Sequence, residues 1–406
     1  MSARILAVVE YKLIDGDNHY YEVADAFTRH GDEQVKTFVR WVSEGKKKQI
    51  VFGTVQPTAI ANPTFNPITR PGIFHTRLKE LAEGGIRNLP FNDKRNFGEL
   101  VPLSQEYQDR ESRLLVMDDQ GVEKAILYPT LGVGIEGLNP NRVELTYKLF
   151  HSFNLWLEED WGFAYKDRIY AAPHIPMLDP SLATAELDSV LARGAKIISL
   201  RPGPANGRSP ADPVWDPFWA RVNEAGIVAS YHGYPGLDEY AKAFQMLWQR
   251  HGISDEAYDR NLQSALTGSR SMEDTAIALV LGNLFGRFPN LKIYAVELGM
   301  AWVYPALHAM DHAGGIAERF IQAYGATVRD RPSDIFRQHF SISPFPEEDV
   351  MFLIEQVGID RVVFGSDWPH AEGTEQPADY MKYLNKLDDA NIRRIMRDNA
   401  AEMLQV

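Results

Sequence analysis

Eight short apolar runs recur along the chain, and helix-like stretches follow several of them. Most of the runs lack the alternation of a half-exposed antiparallel strand and are typical of parallel strands buried on both faces. One following stretch, Asp179–Arg193, opens with aspartate at the cap position and proline in the first turn, which predicts a helix. Strands that alternate with helices form parallel βαβ units, so the sequence predicts an α/β fold, a closed (β/α)8 or TIM barrel. The eight runs are Lys12–His19, Lys124–Thr130, Arg168–Met177, Ala195–Arg201, Ile227–His232, Leu291–Leu298, His339–Ser343 and Arg361–Asp367.

Two connections between the predicted strands are too long for simple loops. They are residues 26–116, after the first strand, and residues 234–290, after the fifth. Long connections that follow barrel strands lie on the C-terminal face and usually form the walls of the active site. Since no domain boundary is evident, we predict one domain over residues 1–406 with these two insertions.

The composition limits the kinds of metal site that the chain can build. Of its 406 residues 45% are hydrophobic and 24% charged, which is ordinary for a globular protein. Because there is no cysteine, disulfides, iron–sulfur clusters and thiolate zinc sites are excluded. Any metal must therefore be held by histidine, aspartate and glutamate.

The charge and the hydropathy pattern limit the partners. A net charge of −13 argues against nucleic acid or an anionic membrane as a partner. No apolar run approaches the roughly 20 residues that span a bilayer. Acidic residues follow the short apolar patch at the N-terminus almost at once, which does not fit a signal peptide. We therefore expect a cytoplasmic enzyme that acts on a small molecule.

Ligand-type side chains stand at the ends of four predicted strands. Asp17 and His19 end the first strand on the same face, His232 ends the fifth, Glu297 lies in the sixth and Asp367 ends the eighth. Each has an ordinary interpretation by itself, since an Asp-x-His pair arises by chance and an aspartate caps turns. A buried unpaired carboxylate such as Glu297 is costly, however. Together the five residues predict a metal site on the C-terminal face of the barrel.

These motifs resemble the amidohydrolase superfamily, specifically the branch that includes aminocarboxymuconate-semialdehyde decarboxylase. The resemblance covers nearly the whole chain, and the GSDWPH signature is its most specific part. It rests on the DxH of the first strand, Met117–Thr130, His232 and Gly365–His370. The resemblance implies that the metal ligands are Asp17, His19, His232 and Asp367.

The chain departs from that branch at the sixth strand. The decarboxylases have a histidine there for acid–base chemistry, and this sequence has Glu297. A nearby metal would depress the pKa of a glutamate, so it cannot simply replace a protonated imidazole. We interpret Glu297 as a ligand of a second metal and, with Asp367, as a catalytic residue. Further candidate ligands, each of which could instead only orient a carboxylate, are His174, His312 and His370.

A pair of ions bound by nitrogen and carboxylate oxygen suits iron or manganese better than zinc, although zinc remains possible. A subgroup of the same branch resembles dinuclear oxygenases that activate O2 at Fe/Fe or Mn/Fe pairs, and the DNHYYE and NPTFNPITRPG stretches are similar to it. For the substrate, Arg201 and Arg70 could each bind a carboxylate through two hydrogen bonds, or could form a structural ion pair.

Three functions fit these predictions. The leading one is an O2-activating monooxygenase that hydroxylates a small carboxylate-bearing substrate. It would need electrons from a separate reductase or ferredoxin, since no flavin or nicotinamide motif is evident. The alternative is a metal-dependent hydrolase or non-oxidative decarboxylase. The third is a metal-bearing structural subunit, against which the nearly complete ligand set argues. Pairing with a paralogous subunit or into a homo-oligomer fits any of the three.

Overall fold

The computed structural model describes residues 11–44, 47–57, 65–74, 99–138, 141–233, 239–248, 262–263, 265–317 and 330–406. We label the elements in chain order. The strands are β1 (Leu13–Tyr20), β2 (Val39–Glu44), β3 (Lys47–Phe52), β4 (Ile68–Thr69), β5 (Leu100–Val101), β6 (Val122–Pro129), β7 (Ile169–Ala171), β8 (Ile197–Leu200), β9 (Val228–His232), β10 (Lys292–Val296) and β11 (Phe340–Ile342). The helices are α1 (Glu33–Phe38), α2 (Arg110–Asp119), α3 (Val143–Asp160), α4 (Pro180–Ala192), α5 (Asp216–Ala225), α6 (Glu239–Trp248), α7 (Arg270–Leu281), α8 (Leu284–Arg287), α9 (Val303–Ala317), α10 (Pro332–His339), α11 (Val350–Val357), α12 (Asp389–Arg393) and α13 (Asn399–Leu404).

The parallel strands close into a barrel. One ladder joins β1, β6 and β7 and another joins β8, β9, β10 and β11, and a parallel bridge between His174 and Ser199 connects the two ladders. The segment after Arg361 fills the eighth position. There the amide of Val363 donates to the carbonyl oxygen of Ile342 in β11 at 2.9 Å, and that of Gly16 in β1 donates to Phe364 at 2.9 Å. The predicted (β/α)8 barrel is therefore confirmed.

Alternate residues of each strand face the inside of the barrel. In β6 the side chains of Ile126 and Tyr128 join an inner cluster, whereas Leu127 belongs to the larger core beneath the helices. The C-terminal helix α13 packs its Met403 against the inner cluster. The ammonium group of Lys292, the first residue of β10, donates to the carbonyl oxygen of Met403 at 3.0 Å. Helix α13 thus covers the N-terminal end of the barrel, so a binding site must form at the opposite end.

The helix predicted over Asp179–Arg193 is α4. The Asp179 carboxylate accepts hydrogen bonds from the amides of Ser181 and Leu182, both at 2.9 Å, which satisfies donors left free in the first turn. The buried face of the helix carries Leu187 and Val190. Local sequence chemistry and packing therefore agree on where this helix begins and which face it buries.

The two predicted insertions contain elements outside the barrel. In the first, β2 and β3 form an antiparallel hairpin, and β4 pairs with β5. In the second lie α6, α7 and α8. Among the described residues, none of the helices has both the length and the apolar character needed to cross a lipid bilayer.

Candidate metal centre

Three buried ligand-type side chains converge at the C-terminal end of the barrel. Strand β1 provides Asp17 and His19, and β9 ends in His232. His19 Nε2 lies 3.2 Å from His232 Nε2 and 3.3 Å from Asp17 Oδ1, and His232 Nε2 lies 3.6 Å from the same oxygen. Each side chain is at most 5% exposed. Alternation along β1 thus directs Asp17 and His19 to one point, as the sequence predicts.

The hydrogen bonding of this trio fits a bound cation. Asp17 Oδ1 is buried and accepts no hydrogen bond. His232 Nδ1 donates to the carbonyl oxygen of Gly233 at 2.8 Å, which leaves Nε2 to face Asp17 and His19. Burial, together with the charge of His370, lowers the pKa of His19 to about 3, so its ring is neutral. Against the effect of burial, the neighbouring Asp17 and Glu297 carboxylates raise the pKa of His232 in the metal-free centre. A divalent cation that prefers nitrogen and oxygen would take the place of the proton on His232 Nε2.

Asp367 and Glu297 lie next to the trio. His19 Nε2 is 3.4 Å from Asp367 Oδ1, and His232 Nε2 is 3.4 Å from Glu297 Oε2. Both acidic residues have left-handed backbone, with φ of 53° and 52°, which is uncommon outside glycine and frequent at functional sites. A Cβ atom on Gly233 would lie 2.2 Å from the Glu297 carbonyl oxygen. Glycine after His232 therefore lets the turn that carries Glu297 approach the centre.

Three carboxylates meet on the outer side of the centre. Glu297, Asp367 and Glu372 offer oxygens within 4.8 Å of one another. Burial and the charge of Asp367 raise the pKa of the Glu297 carboxyl well above its usual range. Burial and the charge of Glu372 do the same to the pKa of Asp367. A cation here would stabilise the charged forms of these carboxylates. Without a cation, the raised pKa values of Glu297 and Asp367 favour their protonated forms.

His370, a predicted ligand, lies in the centre but already has two hydrogen-bond partners. Its Nδ1 is 2.7 Å from Asp367 Oδ1, its Nε2 is 3.0 Å from Thr130 Oγ1, and its ring centroid is 4.0 Å from that of His19. Both nitrogens are therefore engaged. This geometry favours a histidine that orients Asp367 over one that binds metal.

His174 and Arg201, at the ends of the third and fourth strands, form a separate buried group with Glu136. His174 Nε2 is 2.9 Å from Glu136 Oε2, and Arg201 Nε is 3.7 Å from Glu136 Oε1. His174 and Glu136 are 2% exposed and Arg201 is 8% exposed. Among the described residues, His174 joins no group of three or more potential ligands. The Nε2 atom of His174 thus faces the Glu136 carboxylate. Glu136 is also an acidic neighbour of Arg201, which the sequence did not indicate.

Two predicted site residues, His312 and Arg70, have other surroundings than the sequence suggests. His312 is exposed on the surface of α9, because the buried face of that helix is formed by residues such as Ala306 and Met310. Arg70 pairs with Glu375 at 2.9 Å and with Glu99 at 3.3 Å. The structure thus does not bring His312 to the centre. Arg70 pairs with Glu99 within the first insertion and with Glu375 in the loop after the eighth strand, and its role as a substrate contact stays a prediction.

Sequence reasoning missed three acidic residues: Glu372 in the centre, Asp15 beneath it, and Glu136 in the neighbouring group with His174 and Arg201. Asp15 is fully buried two residues before Asp17, and the spacing in IDGDNH was a usable signal for it. Glu136 and Glu372 lie in loops after strands, where no periodicity points inward. Only the folded chain brings them to the site.

Comparison with known proteins identifies the family. The family model described as Amidohydrolase matches residues 102–406, more than half of the chain. The chain belongs to the amidohydrolase family. An amidohydrolase from Mycobacterium avium subsp. paratuberculosis K-10 has a similar structure, with 36% sequence identity, a TM-score of 0.86, and coverage of 97% of this chain and 99% of that one. The resemblance inferred from the sequence is therefore confirmed.

More distant relatives of this amidohydrolase are decarboxylases. A gamma-resorcylate decarboxylase from Rhizobium sp. (strain MTP-10005) is 23% identical over 306 residues, covering 73% of this chain and 87% of the relative. A dihydroxybenzoic acid decarboxylase from Polaromonas sp. JS666, solved with bound manganese and the inhibitor 2-nitroresorcinol, has a TM-score of 0.59 at 17% identity. That alignment covers 97% of each chain.

These relatives overturn the leading functional prediction. They are decarboxylases, whose reaction needs neither O2 nor external electrons, so the prediction of an O2-activating monooxygenase is wrong. The predicted reductase or ferredoxin partner is withdrawn with it. Glu297 favours a second redox metal when only the sequence is considered, but a single carboxylate does not establish one. The chain is a metal-dependent enzyme of the amidohydrolase superfamily that acts on a small molecule.

Proposed function

We propose that this enzyme is a divalent-metal-dependent, non-oxidative decarboxylase of a small hydroxylated aromatic carboxylate. The observation that carries the proposal is the position of Glu297. Its side chain is 25% exposed and its Oε2 lies 3.4 Å from His232 Nε2, beside the group that fits a cation. A carboxyl that can deliver a proton thus adjoins residues that can hold a metal. The names of the relatives supply the reaction and the substrate class.

The metal would be held by Asp17, His19, His232 and Asp367, with manganese favoured because two structural relatives were solved with it. When bound, it supplies positive charge that binds and polarises substrate oxygens. His370 orients Asp367 through its Nδ1 atom. The walls of the barrel exclude water from the buried side of the trio.

Glu297 would supply the proton that the reaction requires. The bond between the ring carbon and the carboxylate carbon breaks, its electron pair stays on the ring carbon, and CO2 leaves. A proton from the Glu297 carboxyl then replaces CO2 on that carbon, so the step is redox-neutral. The exposed part of Glu297 lets solvent restore the proton.

Aromatic side chains pack beside the centre. The ring centroid of Tyr21 lies 4.7 Å from that of Phe65 and 6.0 Å from that of His370. Both tyrosine and phenylalanine rings are buried in the core, so the aromatic substrate class rests on the names of the relatives. Arg201 remains our proposal for electrostatic attraction of the substrate carboxylate, with Glu136 holding its guanidinium in place.

The proposal is tested by turnover of 2,6-dihydroxybenzoate and related hydroxybenzoates in an anaerobic chamber. We expect manganese-loaded enzyme to release one CO2 per phenol formed, with no reductant. Chelator-treated enzyme should be inactive, and re-addition of manganese should restore the rate. Absence of CO2 release from a panel of hydroxybenzoates and carboxyvanillates, with the metal bound, would reject the proposal.

The sequence predicts a second ion at Glu297, and in the structure the oxygens that lie close to its carboxylate belong to Asp367 and Glu372. Iron or manganese would suit these oxygen ligands. With Glu297 as the proton donor, we expect one manganese per chain by elemental analysis, unchanged in Glu372→Gln. Two metals per chain, with one lost in both Glu372→Gln and Glu297→Gln, would instead assign Glu297 to the second ion.

A further inference from the structure

Asp15 lies in β1 directly below the centre, and no part of the proposed mechanism uses it. Its side chain is fully buried and offers oxygens only to hydrogen-bond donors. Oδ1 accepts from the backbone amides of Asp17 at 3.2 Å and Ser366 at 2.9 Å. Oδ2 accepts from Asn18 Nδ2 at 2.9 Å and from Ser366 Oγ at 2.5 Å. The Asp15 carboxylate thus joins β1 to the segment after Arg361 that fills the eighth position of the barrel.

Of the three residues that donate to Asp15, Asp17 is itself a ligand proposed above, and Asn18 and Ser366 stand next to proposed ligands. The Ser366 amide also donates to the Asp17 carbonyl oxygen at 3.1 Å, and the Asp367 amide donates to the same oxygen at 2.8 Å. The position of Asp17 relative to Asp367 is therefore set by this short set of bonds around Asp15. A shift of either backbone would move a carboxylate oxygen away from His19.

A buried arginine fixes the direction of the hydrogen bonds. Arg113 Nη1 donates to Asn18 Oδ1 at 2.6 Å, so the amide of Asn18 must turn its Nδ2 towards Asp15. Arg113 is fully buried, and its guanidinium lies 4.6 Å from the ring centroid of Trp368. Arg113 thus donates to Asn18, and Asn18 donates to Asp15. Asp15 ends this series as a pure acceptor, a role that a carboxylate with two oxygens fulfils.

We propose that Asp15 is a positioning residue for the metal centre. It sets the distance between Asp17 and Asp367 by accepting four hydrogen bonds, and it does not itself bind metal. This inference rests on one part of the proposed function, that the centre binds a divalent cation, and does not depend on the decarboxylation reaction. Whether wild-type protein binds manganese is measured first and independently of any variant, so failure of that assignment is separate from failure of this one.

The test is an exchange of the acid and the amide between positions 15 and 18. In Asp15→Asn, Oδ1 can still accept from both backbone amides, but the new Nδ2 faces Asn18 Nδ2, donor against donor. In Asp15→Asn/Asn18→Asp, the carboxylate at position 18 accepts from both Arg113 and the new amide. Ser366 Oγ can then turn its proton to the Asp17 carbonyl oxygen, 3.4 Å away. The double variant keeps the net charge and satisfies every donor.

Manganese titration of chelator-treated protein by calorimetry provides the readout, with thermal unfolding of the metal-free proteins alongside. We expect Asp15→Asn to weaken manganese binding about 10- to 100-fold, and the double variant to return to within about threefold of wild type. A role in folding alone would lower the unfolding temperature and leave manganese affinity unchanged in Asp15→Asn, which would overturn the proposal.

A folded double variant that binds manganese no better than Asp15→Asn would also overturn the proposal, because it would show that the charge at position 15 itself is needed. If Asp15→Asn does not fold, the double variant decides alone. Wild-type affinity in it supports the proposal, and a double variant that is unfolded or does not bind manganese rejects it.

Discussion

Replacement of His232 by alanine is expected to remove the metal and reduce kcat/KM by about 10³-fold or more, because charge stabilisation by a metal is worth several kcal/mol. The imidazole is buried, and its Nε2 lies 3.2 Å from His19 Nε2 and 3.6 Å from Asp17 Oδ1. The same loss is expected for His19→Ala.

The measurement is metal content after dialysis, with kcat/KM and far-ultraviolet circular dichroism on the same samples. The barrel should persist, because His232 ends its strand and the core of β9 is formed by other residues. His312→Ala is the matched control, since His312 is exposed on α9 and should leave metal content and rate unchanged. Metal retained in full by His232→Ala would contradict the assignment of the centre.

Replacement of Glu297 by glutamine is expected to lower kcat by about 10²- to 10⁴-fold, the usual contribution of a positioned general acid, with little change in KM. Glutamine has a similar shape but cannot give up a proton. In the one-metal arrangement this variant keeps its manganese. Glu355→Gln, at an exposed position on α11, is the control and should behave as wild type.

The pH dependence of kcat gives a second measurement on Glu297. Burial and the charge of Asp367 raise the pKa of its carboxyl in the metal-free centre, whereas a bound cation lowers it, so the balance of the two sets the pH above which the protonated form is lost. Because that form is the active one, the rate should be constant at lower pH and fall as pH rises through this pKa. The fall should be absent from the residual activity of Glu297→Gln. An unchanged pH profile in the variant would assign the proton to another group.

The choice between an oxygenase and a decarboxylase depends on the role of one residue, Glu297. Glu297 at the sixth strand is visible in the sequence, but its role depends on what surrounds it. In the fold its neighbours are His232 on one side and Asp367 and Glu372 on the other. A glutamate in such surroundings can hold a proton or a metal, and the residue type alone does not distinguish these roles.

The sequence by itself determined the barrel and the inner part of the centre. Uniformly apolar runs that alternate with helices are typical of parallel strands covered on both faces, and the period of two along β1 places Asp17 and His19 together. These are local patterns, which need no knowledge of distant residues. His232 and Asp367 follow from the rule that strand C-termini meet on one face.

Only the tertiary structure decided the remainder, because those contacts join residues far apart in the chain. Glu136 meets His174 across 38 residues, and Ser366 meets Asp15 across 351. No local period reports which loop reaches which strand end, so the surroundings of His312 and Arg70 could not be predicted from the sequence. The helical phase of α9 turns His312 outward, and Arg70 is held by Glu375 and Glu99. The residue type indicates which side chains could bind a metal, but tertiary packing determines which of them lie at the centre.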